Sequence, residues 1–518
     1  STAAPCKTIQ AAIDKAAAYD TVHVATGNYE FVAPGIEIDK EGLALVGDHS
    51  PFDVDPVSDP GRLNNRSASA IYLKKASGGS ANSQRMIWVN NVRSVTIRNL
   101  YIETRLDRTR EAIVATGNID GLLIENNYIK FVDSSGSSAF GISINPENSA
   151  GMGASVPYDP VSGTFVTIRG NVLEPTVGIF WFTTYAPKRA ILFNRSLGLI
   201  ENNQIAASTA DLWTYQNNGT ANTPADKRHL TIRGNWFFGR LQAQVNAVGG
   251  TAVETVIEEN TFLAPGSTFS PISLPGISPA SLTSSESHML RLASTQGVPT
   301  RVRNNRFKGF VNQYRALWVQ GRRAVEIRHN TFTPEPAASD FTAITIGNRR
   351  VETGAPANPA AFGAVTIADN VFQSGAVGNK GKAIYFVDDN DKGGMAAGDS
   401  PYVATVGGND AADANKFEAG IGWYIALDDR SCTDINHNDA VCDGTSSYAL
   451  GEAISYSGGA NATSEKRPFR WHVNASGNVF GGIAMVDMTP AQYDAVRART
   501  FDDHNKVQAA ATVGNVVY

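Results

Sequence analysis

Carboxyl groups are the first residues in this 518-residue chain whose type and placing could do chemistry. Asp107 and Glu111 stand together in RLDRTREA, Glu147 follows a short apolar alternation, and Asp211 immediately precedes LWTY. Two carboxyl groups flanking a glycosidic bond can hydrolyse it, one protonated as acid and the other ionised as base or nucleophile. None of the four forms a recognisable doublet. A β-elimination would need a cation beside a uronate and a Lys, Arg, His or Tyr base. Arg105, Arg108, Arg110, His288, Arg291 and Arg315 have those types. The plainer reading of each is a salt-bridged or exposed residue. No Gly-rich phosphate loop, serine elbow or zinc spacing is present.

Aromatic residues give a second pattern. In MIWVN, IFWFT, LWTY, ALWVQ, AIYFV and WYIAL, aliphatic or Phe positions alternate with larger amphipathic ones. With Ile87, Phe180, Leu212, Leu317, Ile384 and Ile425 pointing inward, a period of two turns Trp88, Trp181, Trp213, Tyr215, Trp318, Tyr385 and Tyr424 outward. Rings in such a row can stack on sugar faces while their polar tips bond hydroxyls. Asn90, Ser143, Asn145, Thr183, Gln244, Asn246, Arg291 and Gln320 fall between them, so the face suits a long neutral or mildly anionic glycan. The alternative is a second small core under inserted loops, because large exposed rings otherwise demand explanation. A slip of one residue in phase would invert the face.

These strands must be held in register, and a recurring asparagine supplies the ruler. It appears at Asn127, Asn171, Asn203, Asn235, Asn260, Asn305, Asn330 and Asn370, with a β-branched residue three positions before and a bulky apolar residue two after. Ile124, Ile168, Ile200, Ile232, Ile257, Val302, Ile327 and Ile367 suit pleated strands whose alternate side chains enter a core. Asparagine tolerates a left-handed backbone and bonds nearby peptide groups through its amide, which suits a sharp bend. Self-similarity at this spacing means a stacked solenoid. The asparagines therefore speak for fold and not for catalysis.

The repeats resemble those of right-handed parallel β-helix proteins of the pectin-lyase-like superfamily, and the resemblance covers nearly the whole chain. It implies an all-β solenoid with three short strands per coil and the asparagine ladder between the second and third. The opening PCKTIQAAIDKAAAYDTVHVATGNYEF, Pro5 to Phe31, is similar to the start of many secreted bacterial members. Thr8 to Ala18 has helical spacing, with Ile9, Ala12, Ile13 and Ala16 on one face, and is expected to cap the open end of the solenoid. Thr21 to Ala25 reads as the first strand. One such scaffold hosts lyases, hydrolases, epimerases, tailspikes and adhesins. The paired Asp, Gly-His-Gly and Arg-x-Lys motifs of polygalacturonases are missing, which argues against pectin hydrolysis.

A charged fraction of 18%, 48 glycines and a net charge of -5 fit a turn-rich β protein and give no support to a nucleic-acid partner. No apolar run is long enough to span a bilayer. The missing leader before Ser1 fits a processed or truncated exported protein, either secreted or on the bacterial surface. Cys432 and Cys442 are spaced for a loop-closing disulfide, the alternative being two free thiols. Cys6 is left over, and the resemblance implies a partner just upstream. In the same loop Asp434, Asn436, Asn438 and Asp443 alternate like ligands of an extracellular structural Ca²⁺, the bland alternative being a solvated acidic loop. No other cofactor is called for. Loop-like composition marks insertions at 51–80, 151–163, 217–227, 265–287 and 347–361, which in the family usually leave beside the first strand of a coil and wall a groove. Residues 1–488 are read as β-helix with insertions. Residues 489–518, starting with Thr-Pro, read as a helix and closing strand that cap the same domain.

Two function classes follow. One is a secreted polysaccharide-active enzyme, glycosidase or lyase, with its glycan along the first-strand face. The other is a noncatalytic adhesin or matrix protein. Oligomeric state is not encoded in any of these features.

Overall fold

The computed structural model describes residues 6–32, 35–52, 69–74, 84–104, 109–132, 140–146, 164–176, 189–206, 210–215, 225–238, 243–247, 254–264, 267–269, 288–294, 300–311, 315–321, 324–347, 364–376, 381–387, 402–408, 410–428, 453–454, 465–466, 471–484, 487, 489–492, 511–513 and 516–517. The chain divides into two compact units, Ser1–Ser278 and Pro279–Tyr518.

In the first unit each coil passes through three parallel sheets in turn. The first-strand sheet contains Ile36–Ile38, Gln84–Asn90, Thr109–Thr116, Phe140–Asn145, Arg189–Asn194, Ala210–Tyr215 and Ala243–Ala247. A coil such as Phe140–Asn145, Phe165–Arg169 and Val172–Thr176 shows the order, with Asn171 at the corner between second and third strands. The second unit repeats this plan. Its first-strand sheet contains His288–Ser294, Arg315–Gly321, Thr342–Ile346, Lys382–Val387 and Trp423–Asp428.

The ruler works through its amide. Asn171 donates its backbone N–H to Asn203 Oδ1 at 2.9 Å and its Nδ2 to the same oxygen at 3.0 Å and to Ile124 O at 2.9 Å. One side chain thus ties its own coil to the coil on either side. Asn203 repeats these bonds onto Asn235, and Asn235 onto Asn260. In the second unit the ladder runs Asn305, Asn330, Asn370, Asn415 and Asn478, all fully buried. Asn415 and Asn478 belong to it although the spacing did not single them out; the signal was the N-x-F of NKF and NVF. The left-handed backbone falls on the preceding residue, as at Asn126, Gly170, Asn202, Gly234 and Asn304, and not on the ladder asparagine. Gly170 stands where a Cβ would lie 2.3 Å from Asn126 Oδ1.

Ile124, Ile168, Ile200 and Ile232 stack in register and have no exposed surface. In the second unit the apolar residue two after each ladder asparagine is Phe307, Phe332, Phe372, Phe417 or Phe480. Their rings stack at 4.8–5.0 Å, and such pairs are worth about 0.5–1.5 kcal/mol each beyond area burial. Outside the second-strand sheet of the first unit, Glu125, Arg169, Glu201 and Arg233 alternate in charge from coil to coil, with Arg169 and Arg233 bonded to Glu125 and Glu201.

The N-terminal helix α1, Ile9–Lys15, is shorter than its spacing suggested, with Thr8 as N-cap and Ile9 and Ile13 buried. Thr21–Val24 follows as a strand. At the other end Thr489 N–H donates to Gln492 Oε1 at 2.9 Å, a capping-box bond at the start of a helical turn, residues 490–492; the rest of the helix expected over 489–500 lies outside the described residues. Ala511–Val513 then joins the second-strand sheet, and Val516–Val517 turns back antiparallel on it. Among the described residues no helix is long and apolar enough to cross a membrane.

Candidate functional site

A bend in the first-strand sheet decides which residues reach its outer face. Register pairs Phe140 with Arg189 and then Ile142 with Ile191, and it skips the residue between; the same skip recurs from coil to coil. Met86, Ala112, Gly141 and Ala190 occupy the skipped place and are fully buried. A Cβ on Gly141 would meet core-facing Leu173 at 3.0 Å and Phe131 at 3.2 Å. This position therefore looks inward, and counting in twos fails across it.

Two expectations are corrected by that bend. Tyr424 takes the skipped place and is 4% exposed, packed on Phe417 and Phe480 in the core, so it is no part of an outer row. Trp423 takes the outer place beside Lys382, and Ala426 lies opposite Tyr385. Asp211 follows Ala190 in the same row and is 0% exposed, so it does not stand on the glycan face. Glu111 is 3% exposed. The strands carrying Glu111 and Asp211 are three spacings apart, about 14 Å, too far for closely paired carboxyls. Asp107 and Glu147 lie outside the described residues, as do Trp181, the Cys432 and Cys442 thiols and the calcium candidates Asp434, Asn436, Asn438 and Asp443. Cys6 is half-buried and forms no disulfide among the described residues. No cluster of three or more His, Cys, Asp or Glu residues suited to a metal occurs among the described residues.

Beyond the bend the alternation holds. Ile87, Leu212, Leu317, Ile384 and Ile425 are fully buried, as expected of inward residues. In the first unit the outer row is Glu37, Trp88, Val114, Ser143, Leu192, Trp213 and Gln244. Trp88 and Trp213 are half-buried, whereas Val114 and Ser143 are fully buried. Two residues further along runs a polar row of Asn90, Thr116, Asn145, Asn194 and Tyr215. Trp88 Nε1 donates to Thr116 Oγ1 at 2.9 Å, and Asn194 Nδ2 donates to Asn145 Oδ1 at 3.1 Å. Ser143 Oγ and Asn194 Oδ1 are buried and have no hydrogen-bond partner among the described residues.

Glu37, which sequence reasoning passed over, belongs to this face; the one signal was its place between two inward isoleucines in IEI. Its carboxylate accepts from Asn90 Nδ2 at 2.7 Å. Arg85 lies over the Trp88 ring at 4.3 Å from its centroid. Burial lowers the Arg85 pKa, opposed by attraction to Glu111 and Glu37.

The second unit's face differs. Trp318 is 3% exposed, with Arg315 and Arg291 over its ring at 4.7 and 5.2 Å, His288 edge-on at 5.7 Å, and its Nε1 bonded to Gly347 O. It is a packed ring and not an open platform. Tyr385 is half-buried under Lys382 at 5.3 Å. For Tyr215, Gln244, Asn246 and Gln320 the structure describes only the strand positions. The insertions also differ from expectation. The segment read as an insertion at 51–80 includes a third strand, Ser69–Lys74, and Phe52 ahead of it packs 6.1 Å from Tyr128 on the outside of the third-strand sheet. Phe269, within 265–287, covers Ala206, Phe238 and Leu263 on the same sheet. Segments 151–163 and 217–227 do leave directly from first-strand-sheet strands.

Stacked parallel coils of this kind make the protein a right-handed parallel β-helix with a capping helix. The fold is similar to that of the A-module of mannuronan C-5 epimerase AlgE6 from Azotobacter vinelandii, at 14% identity and a TM-score of 0.50, covering 80% of this chain and 89% of that one. The AlgE4 A-module of the same organism matches at 15% identity and a TM-score of 0.47, over 77% of this chain and 88% of that one. At these identities the likeness establishes fold alone. No family model matches the chain. No curated protein matches it in sequence.

Proposed function

We propose that the protein is an exported polysaccharide-active enzyme, glycosidase or lyase, that holds its glycan against the outer face of the first-strand sheet in the first unit. One observation carries this reading: the half-buried rings of Trp88 and Trp213 share this face with a hydrogen-bonding row of Asn90, Thr116, Asn145 and Asn194 two residues along. Rings beside hydroxyl-bonding groups are the usual composition of a sugar subsite. A mannuronan epimerase module is built on the same fold.

A second reading, binding without cleavage, is favoured by the separation and burial of Glu111 and Asp211. A glycan array followed by product analysis on the hits decides between them. New reducing ends or unsaturated products support the enzyme, and binding with neither supports an adhesin or matrix protein. No binding to any neutral or uronate polymer sinks both.

A further inference from the structure

Glu37 is held more firmly than a surface carboxylate needs to be. Gln10, on the capping helix, pairs with its backbone along the outer edge of this terminal strand: Gln10 Nε2 donates to Glu37 O at 3.2 Å, and Glu37 N–H donates to Gln10 Oε1 at 2.8 Å. Its carboxylate is fixed in turn by Asn90. It lies opposite Trp88 in register and is half-buried, unlike the enclosed Glu111 and Asp211.

We infer that Glu37 is the ligand-contacting carboxylate at this end of the face and selects neutral, hydroxyl-bearing sugars over anionic ones, with Gln10 as its positioning residue; this rests on the glycan reading above. A carboxylate has about four lone-pair directions, so after Asn90 takes one the rest can accept hydroxyls from a sugar stacked against Trp88. A uronate or sulfate brought to the same place meets like charge, which acts against the wrong ligand more than it strengthens the right one. Arg85 is drawn to both Glu37 and Glu111, so its charge is not given to Glu37 alone.

The test is calorimetric titration of the full chain with neutral and uronate oligosaccharides of matched length. Wild type is expected to bind the neutral ligand about tenfold tighter or more. Glu37→Ala should weaken neutral binding about tenfold, whereas Glu37→Gln should keep it within about threefold and shrink the discrimination. Gln10→Ala, which frees the peptide, should weaken neutral binding about threefold with discrimination retained. Should Glu37→Ala melt early, Glu37→Gln alone decides, since it keeps shape and removes charge. Unchanged discrimination in Glu37→Gln, or a wild type that prefers uronates, overturns the inference while leaving glycan binding intact. A wild type that binds neither ligand overturns the reading beneath it as well.

Discussion

The first unit contains two rows of asparagine that differ in what their amides have left to give. In the corner row Asn171, Asn203 and Asn235 spend both donors and the acceptor on the coils above and below, and each is sealed from solvent. In the outer row Asn194 uses one donor on Asn145 and keeps a buried oxygen without a partner among the described residues, beside Ser143 in the same condition. Residue type is the same in both rows. What separates structure from function is whether hydrogen-bonding capacity is used up inside the fold. The tryptophans divide by exposure: Trp318, between two guanidinium groups, is 3% exposed, whereas Trp88, with Arg85 over its ring, and Trp213 are half-buried.

Substitutions at used-up groups should cost stability and spare binding; those at open groups should do the reverse. The largest effect is expected for Trp318→Ala, which empties a packed ring site and should lower unfolding free energy by about 3–5 kcal/mol with glycan affinity unchanged, as read from urea melts and titration. Asn203→Ala removes the side-chain bonds to Ile168 O and to the backbone N–H of Asn171 in the interior, so a loss of about 3 kcal/mol is expected by the same melts, again without a binding defect. Asn194→Ala should do the opposite, changing stability by less than about 1 kcal/mol while weakening glycan binding about fivefold. Smallest is Arg169→Gln, which removes a half-exposed ion pair to Glu125 and should shift stability by at most about 0.5 kcal/mol with no effect on binding.

Most of the fold was legible because it repeats. The β-branched residue three before each asparagine and the apolar residue two after are the core-facing positions of consecutive strands, and their stacking requires the same types coil after coil. Asn415 escaped because residues 408–414, with the turn Ala411–Asp413, place it nine positions after Val406, the residue opposite Ile367, and Asn478 because Ala475 stands three before it in place of a β-branched residue. The site was less legible, since period-two counting assumes an unbroken strand. It placed Trp88 and Trp213 correctly, but the bend at Gly141 and its equivalents sends Tyr424 and Asp211 inward. Glu37 was hidden for a different reason: its significance comes from Gln10 and Asn90, which are close only once the chain coils.

The central claim is that the outer face of the first unit, with the rings of Trp88 and Trp213, binds glycan. It is tested most directly by titrating the array-identified glycan into wild type and into the Trp88→Ala, Trp213→Ala double variant, with a melting curve on each. Stacking platforms contribute enough that the double variant should lose at least about tenfold in affinity while keeping a cooperative transition. Affinity equal to wild type in a folded double variant would contradict the account.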